Sequence, residues 1–417
     1  MSDTVQPSVN ERLLTRGHRV LLATITRWIA HDDPPHAILL SGPPNVGKTT
    51  LALDLAAGLL CLAPDPADRP CRACLACRKV ERGVHPDVHR LLPQGPGGQI
   101  RIAAVRELGS ALALLPLEGR RRIAIVESAD RLNEDAQNAL LKTLEEPPAG
   151  TVIVLCADDD DPILPTVRSR SVRLALPSLP PTVVAAFLGD RGMTDTARAA
   201  RIARLAAGRP GVAVAIAAQP ELELTLGRVA RHLLDLTRAD RRRRLAAAGP
   251  LIAEGALLVG LGGPDVEGTE QAPSGRPGEL GSPELSPGPP ADTTMPGPAA
   301  STAVAPARRR RAVAALLGTW RSVARDLAVV ARGARGSVRW IDLVDELEAV
   351  AAGLEAGAPE RFLARIERTS ALVDANANPE LALDALLLSW PWSVGPERTG
   401  GQAPRTRGRA SGARAAS

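Results

Sequence analysis

The chain contains no tyrosine and only two phenylalanines, and lysine occurs only at Lys48, Lys79 and Lys142. So few aromatic rings leave little on which unpaired bases could stack, which disfavours a dedicated single-strand binder. Nearly all the positive charge is therefore arginine, and with so much alanine alongside it this reads as compositional bias. A net charge of +5 and a pI near 9.3 permit contact with a polyanion but do not demand it. Long apolar runs are missing too, since none approaches the roughly 18 residues of a membrane span. The opening stretch "MSDTVQPSVNERLLTRG" has no apolar core of the kind a signal peptide carries. The expectation is a cytoplasmic chain with no membrane partner.

Cysteine is also scarce, five in 417 residues, yet four of the five crowd together. Cys61, Cys71, Cys74 and Cys77 follow the spacing C-x9-C-x2-C-x2-C. In a reducing compartment such clustering points to metal or redox chemistry rather than to disulfides. Thiolates three residues apart can converge on one tetrahedral ion, and Cys61 closes the set with no position left for water. A structural Zn²⁺ is the expectation, ahead of a redox C-x-x-C pair or unmetallated thiols. Cys156 ends an apolar run and is expected in the core, while His85 and His89 are expected to be ordinary loop residues.

What is present is alternation. Residues 11 to 180 interleave helical patterns with short apolar runs, "AILLS" (37 to 41), "RIAIV" (122 to 126) and "TVIVLCA" (151 to 157), which predicts an α/β fold with a parallel sheet. From residue 181 the strand patterns vanish. The expected organisation is an α/β base over 1–180 with an inserted zinc module at 61–77, a small helical lid over 181–225, and an all-α domain over 226–392. That last domain is interrupted by a Gly, Pro and Ser-rich stretch, 257–306, which has too little apolar surface to offset its ordering entropy and is expected to be disordered. An Arg-rich tail, 393–417, is expected to be disordered as well.

"GPPNVGKT", Gly42 to Thr49, matches G-x-x-x-x-G-K-[ST] and lies between an apolar strand and a helical run. Its glycines let backbone N–H groups face phosphate oxygens, Lys48 would reach the β and γ phosphates, and Thr49 would hold Mg²⁺. Gly42, Asn45, Gly47, Lys48, Thr49 and Thr50 are thus the candidate ligands of ATP or ADP. A second stretch, "RIAIVESADRLNEDAQNALLKTLEEPP" (122 to 148), ends its strand in Glu127 and Ser128, where ATPases place Asp followed by Glu. Glu127 could serve Mg²⁺, but Ser128 has no carboxylate with which to orient water, a loss that typically costs a factor of about 10² to 10⁴. Asp130 or Glu134 could substitute only from the following turn or helix.

Taken together, "HAILLSGPPNVGKTT", the four-cysteine insertion, "ADRLNEDAQNALLKTLEEPP" and "LPTVRSRSVRL" resemble the bacterial clamp-loader ATPase family of DNA polymerase III. The resemblance covers residues 11 to about 225 with specific motifs and continues beyond them as helical texture. It implies an AAA+ module with a RecA-like base and a lid, followed by a collar that holds five subunits in a ring. The ring, a hetero-pentamer with γ/τ motors and a δ subunit, opens the sliding clamp and places it on primer-template DNA. The degenerate Glu127–Ser128 pair resembles the stator member of that ring rather than a motor. In the resemblance Arg170, within Ser169-Arg170-Ser171, is an arginine finger acting in trans on a neighbour's nucleotide. Two other readings stand beside this one: a γ/τ-type motor ATPase, and a zinc-containing scaffold or DNA-binding protein with a vestigial phosphate loop.

Overall fold

The structure, a computed structural model, describes residues 12–93, 98–262 and 306–391. The 393–417 tail and most of the 257–306 stretch lie outside them. A helix first occupies Arg19–His31 (α1), and β1, Ala37–Ser41, leads into α2, Lys48–Leu59. The short helix α3, Leu75–Glu81, precedes β2, Val88–Leu91, and α4, Ile102–Leu112. Then come β3 (Arg122–Val126), α5 (Glu134–Glu145), β4 (Thr151–Ala157), α6 (Pro165–Ser169) and β5 (Val172–Ala175).

The five strands form one parallel sheet in the order β2-β3-β4-β1-β5. This is the α/β, RecA-like base of the AAA+ class. The three strands anticipated as apolar runs are its interior, and every residue of β3 and β4 is buried. A parallel sheet covered on both faces requires such continuous runs. Side chains alternate between the two faces. Ile38, Leu40, Ile123, Ile125, Val152 and Val154 pack under α1 and α2, while Leu39, Val126, Ile153 and Leu155 pack under α4 and α5. The edge strands β2 (VHRL) and β5 (VRLA) carry polar residues and were not anticipated; His89 therefore sits in a strand and not in a loop.

Beyond the sheet all described elements are helical. Pro181–Asp190 (α7), Thr196–Leu205 (α8), Pro210–Ala218 (α9) and Pro220–Leu236 (α10) follow. The expected boundary at 225 falls inside α10; the backbone break lies at Gln219, extended at φ −130° and ψ 91°, where Pro220 starts the new helix. Helices Arg241–Ala246 (α11) and Ala248–Leu257 (α12) bring the chain to a 3₁₀ turn at Val259–Gly262. Within the first six residues of the 257–306 stretch, Leu257 ends α12, Val259–Gly262 form the 3₁₀ turn, and Leu258 between them is fully buried. After it come α13 (Pro306–Ala331), α14 (Val344–Ala351), α15 (Ala358–Asp374) and α16 (Pro379–Leu388).

One apolar cluster joins these helices from Leu179 to Trp390. At its centre three of the scarce aromatics meet: Phe362 and Trp390 are edge to face at 4.1 Å, and Trp320 lies 6.0 Å from Trp390. The buried Arg244 ties the far end of the chain to α11, donating to the carbonyls of Ala239 (3.1 Å), Trp390 (2.6 Å) and Pro391 (3.3 Å). Among the described residues no helix is long and apolar enough to cross a membrane. Replacing a buried aromatic by alanine leaves a cavity that neighbouring helices fill only in part. Phe362→Ala is therefore expected to destabilise the helical region by about 3–5 kcal/mol, read as a lower urea midpoint of its far-UV circular dichroism transition.

Candidate nucleotide-binding and metal site

The phosphate loop leaves the carboxyl end of β1 through Gly42, whose φ of 152° and immediate surroundings both call for glycine. A Cβ there would stand 2.1 Å from the Leu176 carbonyl oxygen. The Gly42 N–H donates to the Ala157 carbonyl at 3.2 Å, so the loop passes between the ends of β4 and β5. Gly47, at φ 114°, caps α2 and has open space where a Cβ would be. The first-turn N–H groups of α2 are thereby left facing the loop, the arrangement that binds phosphate. Asn45, also left-handed at φ 63°, directs its amide Nδ2 to the Leu261 carbonyl at 2.8 Å, and its own carbonyl accepts from Gly211 N at 3.0 Å. The loop is thus held from the helices beyond the sheet as well.

Lys48 is almost wholly buried. Its Nζ donates to the carbonyls of Gly42 (2.6 Å) and Pro43 (3.0 Å) and pairs with Asp158 Oδ1 at 2.7 Å. Thr49 and Thr50 follow in the first turn of α2, and a cavity of about 1070 Å³ opens over Gly47–Thr50. Glu127 reaches this cavity from the end of β3, where its Oε1 accepts from Arg90 Nε at 2.8 Å and Nη2 at 2.5 Å. Ser128 follows in the left-handed region, φ 55° and ψ 55°. Asp130 does not line the cavity; it accepts from Asp158 N at 3.1 Å, and burial raises its pKa, with the Asp158 carboxylate adding to the shift. Glu134 opens α5, past the turn. The residues present fit a nucleotide, with an open loop, free helical N–H groups, a lysine and a hydroxyl at the expected places.

Arg90 and Asp158 were not anticipated. Arg90 meets Glu127 only because β2 pairs with β3 (Arg90 opposite Ile125), an adjacency no local pattern displays. Asp158 had a signal, a carboxylate directly after the buried run of β4. Arg170 lies elsewhere, at the end of α6 and outside the cavity lining, half-exposed, with Nη1 on the Thr166 carbonyl at 3.0 Å and Nη2 on Glu145 at 2.7 Å.

The four cysteines converge. The sulfurs of Cys61, Cys71, Cys74 and Cys77 all lie within 4.8 Å of one another, and none is in a disulfide. A tetrahedral ion with bonds of about 2.3 Å needs sulfurs about 3.8 Å apart, so the set fits with small adjustments. Backbone N–H groups already turn toward the sulfurs, Cys71 N to Cys61 Sγ at 3.4 Å, Cys74 N to Cys71 Sγ at 3.3 Å and Cys77 N to Cys74 Sγ at 3.4 Å. Such donors stabilise thiolates. At Cys74 burial opposes ionisation, but the N–H groups of Cys77 and Leu62 outweigh it and bring the thiol down to about 7; burial pushes Cys77 the other way. His85 and His89 stay outside this set, His85 accepting from Asp87 N at 3.2 Å and His89 lying 3.0 Å from Arg122 Nη1. Cys156 is a buried core residue whose thiol burial pushes up to about 12.

A parallel sheet in this order, with a phosphate loop after β1 and an acidic residue ending β3, defines an AAA+-type nucleotide-binding module. Residues 17–180 match the family described as "DNA polymerase III, delta subunit". Over 142 residues the chain is 41% identical to the DNA polymerase III subunit delta' of Pseudomonas aeruginosa, a match covering 34% of this chain and 43% of that one. Against the delta' subunit of Escherichia coli it is 36% identical over 182 residues, 43% of this chain and 54% of the other. A DNA polymerase III subunit gamma of Buchnera aphidicola is 32% identical over 160 residues, 38% and 43% of the two chains. The chain spans about half the length of the curated relatives it matches. Among solved structures, a Thermotoga maritima gamma subunit-related protein aligns with a TM-score of 0.37 at 16% identity, covering 88% of this chain and 96% of that one. Over residues 17–180 this chain is similar to subunits of the DNA polymerase III clamp loader.

Because all four sulfurs already face one point, the full chain is expected to carry one tetrahedrally bound divalent ion. Cys74→Ser should lower the bound metal from about one ion per chain to near zero, measured by elemental analysis after desalting.

Proposed function

We propose that this chain is a delta'-type clamp-loader subunit: a stator that binds ATP or ADP, turns it over poorly, and supplies an arginine finger to a neighbouring motor. The observation that carries this reading is the end of β3. Glu127, the acid that ends β3 where Mg²⁺ would be served, is paired with Arg90, and the next residue, Ser128, has no carboxylate to orient water. Both P. aeruginosa and E. coli relatives bear the delta' name. Residues 1–180 are the base, 181 to about 225 the lid, and 226–392 the collar through which the chain joins γ/τ and δ subunits in a five-membered ring. Its site of action is the cytoplasm, on the sliding clamp and primer-template DNA.

Gly42, Asn45, Gly47, Lys48, Thr49 and Thr50 would hold the nucleotide, with Mg²⁺ supplying charge neutralisation at the phosphates. Zn²⁺ is the ion that suits four thiolates with no open position, a structural role. A motor reading of the γ/τ type is favoured by the intact loop geometry and by the 32% identity to a gamma subunit.

Hydrolysis separates the two. The wild-type chain alone is expected to bind ATP or ADP but to hydrolyse it orders of magnitude below about 1 per second in single-turnover assays; a rate near that value would favour the motor. Arg170 tests the stator role independently. Fingers of this kind contribute about 10³ to 10⁵ in rate at a single site, less in a ring with several. Arg170→Ala should leave folding, metal content and nucleotide affinity of the subunit unchanged while slowing DNA-stimulated ATP hydrolysis by the reconstituted complex. A mutant complex that assembles and runs at the wild-type rate would show that Arg170 is no finger.

A further inference from the structure

Asp54 lies on α2, six residues beyond Lys48, and is fully buried. Its Oδ1 accepts from Leu14 N at 3.0 Å, and its Oδ2 accepts from Thr15 N at 2.8 Å and Thr15 Oγ1 at 2.7 Å. The charge is met by the Arg72 guanidinium, whose Nη2 donates to Oδ1. Arg72 directs Nε to the Arg12 carbonyl at 3.0 Å and Nη1 to Glu81 at 3.2 Å. A second pair runs in the same direction, from Arg12 Nη1 to the Asp68 carboxylate at 2.8 Å.

The two ends of this network have different owners. Leu14, Thr15 and Arg16 line the same cavity as the phosphate loop. Arg72 stands between Cys71 and Cys74, and its backbone N–H faces the Cys77 sulfur. One residue therefore presents its backbone to the metal set and its side chain to the carboxylate that fixes the cavity wall.

We propose that the cysteine module is a brace for the nucleotide cavity. With its ion in place the module holds Arg72, Arg72 neutralises Asp54, and Asp54 keeps residues 14 and 15 against the cavity. Loss of the ion frees Arg72 and leaves a buried carboxylate without its cation, an arrangement that opens or protonates rather than persists. The wall loosens and adenine nucleotide binds more weakly, so metal supply controls nucleotide occupancy. The step from wall to occupancy rests on the nucleotide-binding reading above. Lysine cannot take over, because Arg72 reaches three acceptors with three nitrogens in fixed directions.

The test uses the full chain with two readouts: hydrogen exchange at the Leu14 and Thr15 amides, and binding of a fluorescent ATP analogue, each before and after chelation. Arg72→Ala and Asp54→Ala are compared with wild type, with Lys48→Ala as the control for loss of nucleotide. The metal-loaded Arg72→Ala chain is expected to exchange both amides faster and to bind the analogue about fivefold or more weakly. Chelation should produce the same change in wild type and little further change in either variant, and Arg72→Lys should recover little. Asp54→Ala, distant from the sulfurs, keeps the comparison valid if Arg72→Ala sheds its ion. Unchanged exchange and affinity in the metal-loaded variants, or an equal cost of chelation in all three proteins, overturns the brace. A wild-type chain that binds no nucleotide overturns the nucleotide reading itself, and the exchange rates, which need no ligand, still decide the brace.

Discussion

The close passage of Gly42 beside the Leu176 carbonyl is the constraint on which the nucleotide site depends. With a side chain at 42 the loop could not leave β1 between β4 and β5, because a Cβ would overlap the Leu176 oxygen at 2.1 Å. Everything downstream uses that exit. Leu176 N bonds to the Ser41 carbonyl at 2.7 Å, Leu179 N to the Gly208 carbonyl at 2.8 Å, and Gly211 N returns to Asn45 at 3.0 Å. These backbone bonds carry the chain from the sheet to the helices beyond it and back to the phosphate loop. Backbone bonds of this kind need no particular side chains, which lets the loop keep its shape while surrounding residues vary.

Charge in the cavity is arranged in internal pairs. Lys48 is held by Asp158 and Arg90 by Glu127, so each group that would meet phosphate or metal already has an opposite partner. A ligand must exchange those pairs, and the gain is the difference between old and new contacts rather than the whole of the new ones. A site built for rapid turnover keeps its acid free. Here the acid is engaged by Arg90, as the slow turnover proposed above requires.

The sequence displayed what depends on local chemistry. The central strands were legible because burial on both faces demands unbroken apolar runs, and the cysteine set because its four members fall within 17 residues, three of them at intervals of three. The phosphate loop was legible for the same reason. The edge strands were not, since Val88–Leu91 and Val172–Ala175 need satisfy only one neighbour and tolerate His and Arg. Arg90 and Arg72 escaped notice because each acquires its role from a partner 37 or 18 residues away. In a chain so rich in arginine, no single arginine stands out before the fold selects it.

The continuity of the helical core has a mechanical consequence. Leu179, which bonds to Gly208 beside the phosphate loop, and Trp390, near the far end of the described chain, belong to one packed cluster. Close-packed interiors resist shear, so helices sharing such a core turn together. The helix that abuts Asn45 is thus packed into the same body as Trp390, so a displacement at the phosphate loop would be passed to that body as a unit and not to one helix alone.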